Sequence, residues 1–367
     1  MIVSPFRPRT TLLAAGILAP LAYFLLYHLR PAWHNDGFDF HRLDYHDLAD
    51  YPYPAADAST KVHLVVASTQ EDDIDWVWNL RVPNMQVIRY VSDNASAHYH
   101  PPVAKGREAL MYFRYISEFY DALPDISIFI HAHERPWHMD PALHQSMTFA
   151  LSRLDLQQVK RRGYYNLRTN WQNACPDWIN TTKTAAESVK QEEPWVKGAF
   201  QATFGDGVEV PEILAGPCCS QFAVTREAIR SRPREQYERA ERWLVATGWT
   251  DYIVGRVWEH LWPYLFMGKS VDCALEYRSF CRFYGVCFEG PERLAEYNDV
   301  WDKREQWRES TEFLREVWRP ARAGLARAVM AKYTLWLEDT LAAAVERGKS
   351  MSLREQAWED TTQWIPR

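Results

Sequence analysis

The residues able to do chemistry fall into seven groups along the chain. Glu71, Asp72, Asp73 and Asp75 place four carboxylates within five positions, which could hold a metal, a ribose or a guanidinium, because planar Arg matches carboxylate oxygens two at a time. A solvated loop with an Asp capping the next helix would look the same. Lys105, Gly106, Arg107 and Glu108 stand where a helix would open, so its first N–H groups and the two cations could receive an anion; a simple charge pair at a helix start is the alternative. The run HAHERPWH supplies His131, His133, Glu134, Trp137 and His138, suited to a divalent metal or to acid–base work near neutral pH, or to structural capping and ring stacking.

Asn166, Arg168 and Trp171 combine an amide, a donor fork and a flat ring, fit to recognise a base or to act as a buried polar clasp. Glu259 lies between Trp258 and Trp262 and three residues after Arg256. It reads either as half of an intrahelical ion pair or as a carboxyl whose pKa its indole neighbours raise. Cys218 and Cys219, before Ser220, offer nucleophiles or simply buried side chains. The arginines from Arg226 to Arg242, interleaved with glutamates, read as a solvated helix face that could join Lys160, Arg161 and Arg162 in a phosphate track.

The elements that must position these groups follow from periodicity. VHLVVAS, QVIRYVS and ISIFIHA are continuous apolar runs of the kind buried on both faces of a sheet. Between the second and third, Leu110, Phe113, Ile116 and Tyr120 recur at helical spacing until Pro124 stops the helix. This β-α-β pattern predicts an α/β fold with a doubly wound, mainly parallel sheet, Rossmann-like or nucleotide-sugar-transferase-like, with ligands gathering at the carboxyl ends of its strands. RRGYYNLRTNWQNACPDW reads as loop, GPCCSQFAVTREAIRSRPREQYERAERWL as a strand then helix, and DYIVGRVWEHLWPYLF as an amphipathic helix.

Four regions result: a hydrophobic segment over 1–30, a stalk over 31–60, an α/β catalytic domain over 61–290 and a helical extension over 291–367. Residues 10–29 carry no formal charge and are long enough to span a bilayer, which predicts an uncleaved single-pass anchor. The whole 367-residue chain is 47% hydrophobic and 14% aromatic, which excludes disorder as its main state, and its mean hydropathy of −0.42 excludes a polytopic membrane protein. A net charge of −6 excludes a global positive field for nucleic acid. The six cysteines are too few and too irregular for a disulfide framework, and none forms a C-x-x-C pair.

The ordered set VVAS-x-x-EDD-x-DW, KGREA-x-x-Y-x-x-YI, FIHAH-x-x-x-WH, GYYNLR, QFAVTREAI and GR-x-x-E-x-LW-x-x-LF, spread over about residues 61–268, resembles a large fungal family of domains of unknown function. That family includes the arginine-containing cyclodipeptide synthases, which join arginyl-tRNA to a second aminoacyl-tRNA. The resemblance implies an aminoacyltransferase without cofactor or metal. His131, His133, Glu108 and Glu259 would be its catalytic group; Asp72, Asp73, Lys105, Arg107, Trp137, His138, Asn166, Arg168 and Trp171 would bind substrate. Within it, Asp72 and Asp73 would take the guanidinium, Lys105 and Arg107 the tRNA 3′ end or oxyanion, and His133 or Glu259 the proton, with Glu108 and Arg168 orienting them. Ser68 and Ser220 are hydroxyls available for a covalent step. The domain would then face the cytosol. The sheet, acidic cluster and anchor also fit a Golgi glycosyltransferase, or a membrane-tethered binding module.

Overall fold

The computed structural model describes residues 59–80, 82–310 and 320–357. The anchor expected over 10–29 lies outside them, as does nearly all of the stalk, and among the described residues no helix is long and apolar enough to cross a membrane.

The three apolar runs form strands β1 (Val62–Ser68), β2 (Met85–Val91) and β3 (Ile126–His131), with α1 (Arg107–Phe119) between the second and third. Two short helices, α2 (Met147–Arg153) and α3 (Leu156–Arg162), start on the side-chain caps of Ser146 and Asp155 and lead into strand β4 (Tyr164–Asn166). Strands β5 (Ile179–Asn180) and β6 (Ile213–Leu214) form a small separate ribbon around α4 (Glu193–Phe204). Strand β7 (Phe222–Thr225) is followed by α5 (Arg226–Arg230), α6 (Arg234–Ala246) and α7 (Asp251–Met267). Helices α8 (Glu276–Tyr284), α9 (Pro291–Ser310), α10 (Pro320–Arg347) and α11 (Met351–Gln356) end the described chain.

The α/β class holds, with a mixed sheet in the order β2-β1-β3-β7-β4. Strand β1 is parallel to both neighbours, Val65 lying opposite Ile88 and Phe129, whereas β7 runs antiparallel to β3, and β4 antiparallel to β7. The sheet is therefore less parallel than the apolar runs predicted. A buried strand carries the same side chains whichever way it points; direction resides in the backbone ladder. GYYNLR, read as loop, supplies the edge strand β4.

Helices α1 and α7 cover one face of the sheet with a fully buried aromatic cluster. Phe113 meets Trp258 edge-on at 4.5 Å, and Trp262 lies 5.1 Å from Phe222 of β7. The Trp262 indole N–H donates to Ser220 Oγ at 2.9 Å, so this serine, an expected candidate hydroxyl, is the buried acceptor of a core tryptophan. Ser220→Ala is expected to cost about 1–3 kcal/mol by orphaning that donor; an unchanged urea-unfolding midpoint would refute this role.

The C-terminal helices are tied to the body through buried Arg354 of α11, which donates to Asp155 Oδ2 at 2.5 Å and to the Arg282 carbonyl. Among the described residues three disulfides occur, Cys175–Cys273, Cys218–Cys219 and Cys281–Cys287. This corrects the cysteine expectation. Cys175 and Cys273 are 98 positions apart, a pairing that folding creates and spacing does not reveal.

Candidate functional site

From β1 the chain moves outward to β2, and from β3 it leaves in the opposite direction, so a crevice opens at the carboxyl ends between β1 and β3. It encloses about 870 Å³. Its near wall is the β1 end with Ser68, Thr69 and Asp72, and its far wall the β3 end with His131, Ala132 and His133. Arg107 and Glu108 of α1 and Tyr252, Arg256, Glu259 and His260 of α7 close one side; Trp137, His138, Arg168, Cys218 and Cys219 close the other.

The acidic loop divides. Asp72 Oδ2 accepts from Thr69 N at 2.6 Å and from its hydroxyl at 2.9 Å, while Arg89 pins the loop by donating to Ser68 Oγ and to the Thr69 and Asp72 carbonyls. Asp72 Oδ1 is left 4.0 Å from His133 Nε2, whose side chain is 74% exposed at the crevice mouth. Asp73 is turned away: it is exposed and accepts Asp75 N at 2.8 Å, a turn bond within the loop, while the short helix that follows has Ile74 at its N-cap and no side-chain cap. Glu71 and Asp75 are exposed and do not line the crevice either. Ser68, the other candidate hydroxyl, donates to the Tyr90 carbonyl at 2.9 Å.

At the start of α1 the expected anion site is filled by the protein itself. Gly106, at φ +70°, donates its N–H to Asp251 Oδ1 at 2.9 Å. Lys105 reaches the carbonyls of Val245 and Thr247, where the last turn of α6 leaves acceptors that favour a cation, and so stands outside the crevice. Arg107 does line it. Its guanidinium sits 5.6 Å from the Tyr252 ring centre, and its stem crosses Gly255, where an added Cβ would come within 2.8 Å of Arg107 Cδ. Gly255→Ala is therefore expected to lift Arg107 off α7 while helix propensity holds or raises stability by up to about 1 kcal/mol. The rate of Arg107 modification by a dicarbonyl reagent should rise; an unchanged rate counts against the packing argument.

The histidines take three different roles. The Gln221 side chain accepts His131 N at 3.0 Å and donates to His138 Nε2 at 2.7 Å, so one amide holds both. Burial lowers the His138 pKa to about 3, helped by His131 and Arg168, which keeps the ring a neutral acceptor. Burial also lowers His131, whose Nε2 has no hydrogen-bond partner. Trp137, 84% exposed, stands at the mouth with His133. The imidazoles do not assemble a metal centre: among the described residues the one close group of three such donors is Cys218, Cys219 and Glu259.

Asn166 and Trp171 are clasps. Asn166 donates to the Pro217 and Cys218 carbonyls and accepts Arg168 N, while Trp171 is bound through its backbone N–H to Glu276 and through its indole to the Ala274 carbonyl. Neither lines the crevice. Arg168 does, with Nη1 2.5 Å from Cys218 Sγ and 3.5 Å from Cys219 Sγ, and Nη2 on the Gln172 carbonyl. Sequence periodicity on α7 suggested an Arg256–Glu259 pair; instead Arg256 donates twice to Glu192, at 2.7 and 3.1 Å, and His260 Nε2 is 3.0 Å from the same carboxylate. Burial alone would raise the Glu192 pKa, yet the His260 and Arg256 hydrogen bonds outweigh it and hold it at about 2. Glu259, without that partner, is pushed up to about 8 by burial and by the charges of Glu108 and Glu192, against the pull of Arg256 and the Cys219 N–H.

Nine of the thirteen residues to which the resemblance gives a catalytic or substrate-binding role thus line one crevice, and Asp73, Lys105, Asn166 and Trp171 do not. Gln221, Glu192 and His260 were missed; only the acidic pair Glu192–Glu193 before Pro194, at a helix start, signalled Glu192. A family model described as "Protein of unknown function (DUF3431)" matches residues 64–282, a span that includes every residue lining the crevice. No curated protein and no solved structure matches the chain.

Proposed function

This chain belongs to the DUF3431 family, and from that premise we propose that it is a tRNA-dependent cyclodipeptide synthase, which condenses arginyl-tRNA with a second aminoacyl-tRNA. The observation that carries the reading is the pairing of His133 with Asp72 at the mouth of a crevice that also holds Arg107, Arg168 and the exposed Trp137. Aminoacyl esters are already activated, and an α-amino group with a pKa of about 7.7–8.0 needs only a modest base.

In the proposed reaction His133 takes the proton of one α-ammonium, and the freed amine attacks the ester carbonyl of the other aminoacyl group. The C–N bond forms and the ester C–O bond breaks; the leaving 3′-oxygen takes up the proton that the attacking nitrogen sheds, and His133 releases the ammonium proton to solvent. Repeating the step within the dipeptidyl ester closes the ring, giving one cyclic dipeptide and two deacylated tRNAs. Asp72 holds the imidazole and meets the guanidinium, Arg107 and Arg168 face developing oxyanion charge, and Trp137 offers a face to the terminal adenine. Glu108 and His138 shape the floor on which the two chains lie. The reading requires the anchor of residues 10–29 to leave this domain on the cytosolic side.

A second reading draws on the three disulfides, since such bridges persist in oxidising compartments. It is a lumenal glycosyltransferase using a nucleotide sugar. Incubating the purified full chain with charged tRNA, and separately with nucleotide sugars and manganese, distinguishes the two by mass spectrometry. An arginine-containing cyclic dipeptide is expected in the first incubation; product in the second alone would overturn the proposal.

A further inference from the structure

Behind the His133–Asp72 pair, the back of the crevice holds two vicinal cysteines and one carboxylate that the proposed reaction does not use. Cys218 and Cys219 are bridged to one another, and their Sγ atoms and a Glu259 carboxylate oxygen all lie within 4.8 Å of one another. Glu259 also accepts the Cys219 backbone N–H, which ties α7 to the turn carrying the sulfurs. We propose that this bridge is one of two states, and that on reduction Cys218, Cys219 and Glu259 become a three-donor site for a thiophilic divalent cation of the zinc type, with its fourth position open to the crevice.

The chemistry of the donors argues for that class of ion. Two thiolates and a carboxylate are the donor types zinc takes in protein sites, with Zn–S near 2.3 Å and Zn–O about 2.0–2.2 Å, whereas manganese and magnesium select all-oxygen sets. The donor atoms already lie within 4.8 Å of one another, and once the bridge opens the two sulfurs are free to part and share one ion with the carboxylate. Charge closes as well. Two thiolates and one carboxylate carry −3, the cation contributes +2, and the Arg168 guanidinium held on Cys218 Sγ supplies the remaining +1. The same guanidinium favours the thiolates over the thiols. Three protein ligands with an open fourth position is the pattern of zinc sites that bind a water or substrate, and this one opens into the 870 Å³ crevice.

Switching needs an external dithiol, which the proposal takes as co-reactant. The dithiol transfers two electrons and two protons to the Cys218–Cys219 bridge and leaves as its own disulfide; the cation then displaces the two thiol protons and any proton held by the Glu259 carboxyl, all of which pass to solvent. The inference does not depend on the reaction proposed above.

The test is direct binding to the full-length chain, with cadmium as probe because its thiolate bonds absorb in the ultraviolet. After treatment with a dithiol, alkylation and mass spectrometry identify which bridges have opened, and near-ultraviolet circular dichroism checks that the fold persists. The reduced chain is expected to bind one cadmium ion with a thiolate-to-metal band, zinc is expected to displace it, and the oxidised chain should show no band. Cys218→Ser and Cys219→Ser should each weaken the band and lower affinity, and the double variant should abolish it. Glu259→Gln should keep the band and lower affinity at least about tenfold. A band that survives in the Cys218→Ser/Cys219→Ser double variant would place the ion on other cysteines and overturn the proposal. So would a folded, reduced chain that takes up no cadmium, or loss of the fold whenever this bridge opens.

Discussion

Replacing His133 with Asn is expected to lower cyclic-dipeptide formation by about a hundredfold to ten-thousandfold, the usual contribution of a positioned general base. The unfolding midpoint should not move, because the side chain is 74% exposed and its near neighbour is Asp72 Oδ1 at 4.0 Å. Activity lost together with stability would mean that the histidine is structural. The loop supplies its own control. Asp72→Asn weakens the imidazole's partner and the expected guanidinium contact together, so arginine incorporation should fall. Asp73→Asn should leave it unchanged, since Asp73 faces away and binds Asp75 N. Equal losses in both variants, read by mass spectrometry of products from arginyl-tRNA, would count against the crevice as the substrate site.

Glu192→Ala is expected to cost about 3–5 kcal/mol, because it leaves buried cationic and imidazole groups without their shared carboxylate. Glu192 is fully buried; Arg256 donates to it twice and His260, nearly buried, bonds to it once. The Glu192 carboxyl lies at about 2, below its ordinary 4.5, so the folded state binds the proton less tightly than the unfolded chain does. The stability it contributes is therefore complete above about 4.5 and is lost as the pH falls through about 2. Urea unfolding followed from neutral pH into that range should show a steeper loss in the parent chain than in Glu192→Ala. Parallel curves would remove the pH argument, and a stability change below about 1 kcal/mol would remove the buried-cluster argument.

Much of the crevice's rim was legible one segment at a time. The apolar runs at Val62–Ser68 and Ile126–His131 marked strands buried on both faces, so the chemistry-bearing residues just after them, Asp72 and His133, had to emerge at a sheet edge. The helical period of α1 likewise placed Arg107 and Glu108 at its start. The same local reasoning misplaced Lys105 and Asp73. Each lies within two residues of a crevice residue in sequence, yet each is held by an acceptor or donor that only a neighbouring element or turn supplies: the end of α6 for one, the Asp75 N–H for the other. Asn166 and Trp171 failed as site residues for a related reason, since the carbonyls that hold them come from Pro217 and Ala274, about fifty and about a hundred positions away.

The sequence by itself determined the secondary structure of the first half of the sheet, the aromatic core and which segments carry acid, imidazole and cation, because periodicity and residue type are properties of short stretches. Tertiary structure alone decided the direction of β7, the choice of Glu192 over Glu259 as partner of Arg256, the union of Cys175 with Cys273, and the meeting of Cys218, Cys219 and Glu259. Those are outcomes of competition among groups far apart in the chain. The winner in each case is set by which partner is desolvated with the group, and no local pattern records that.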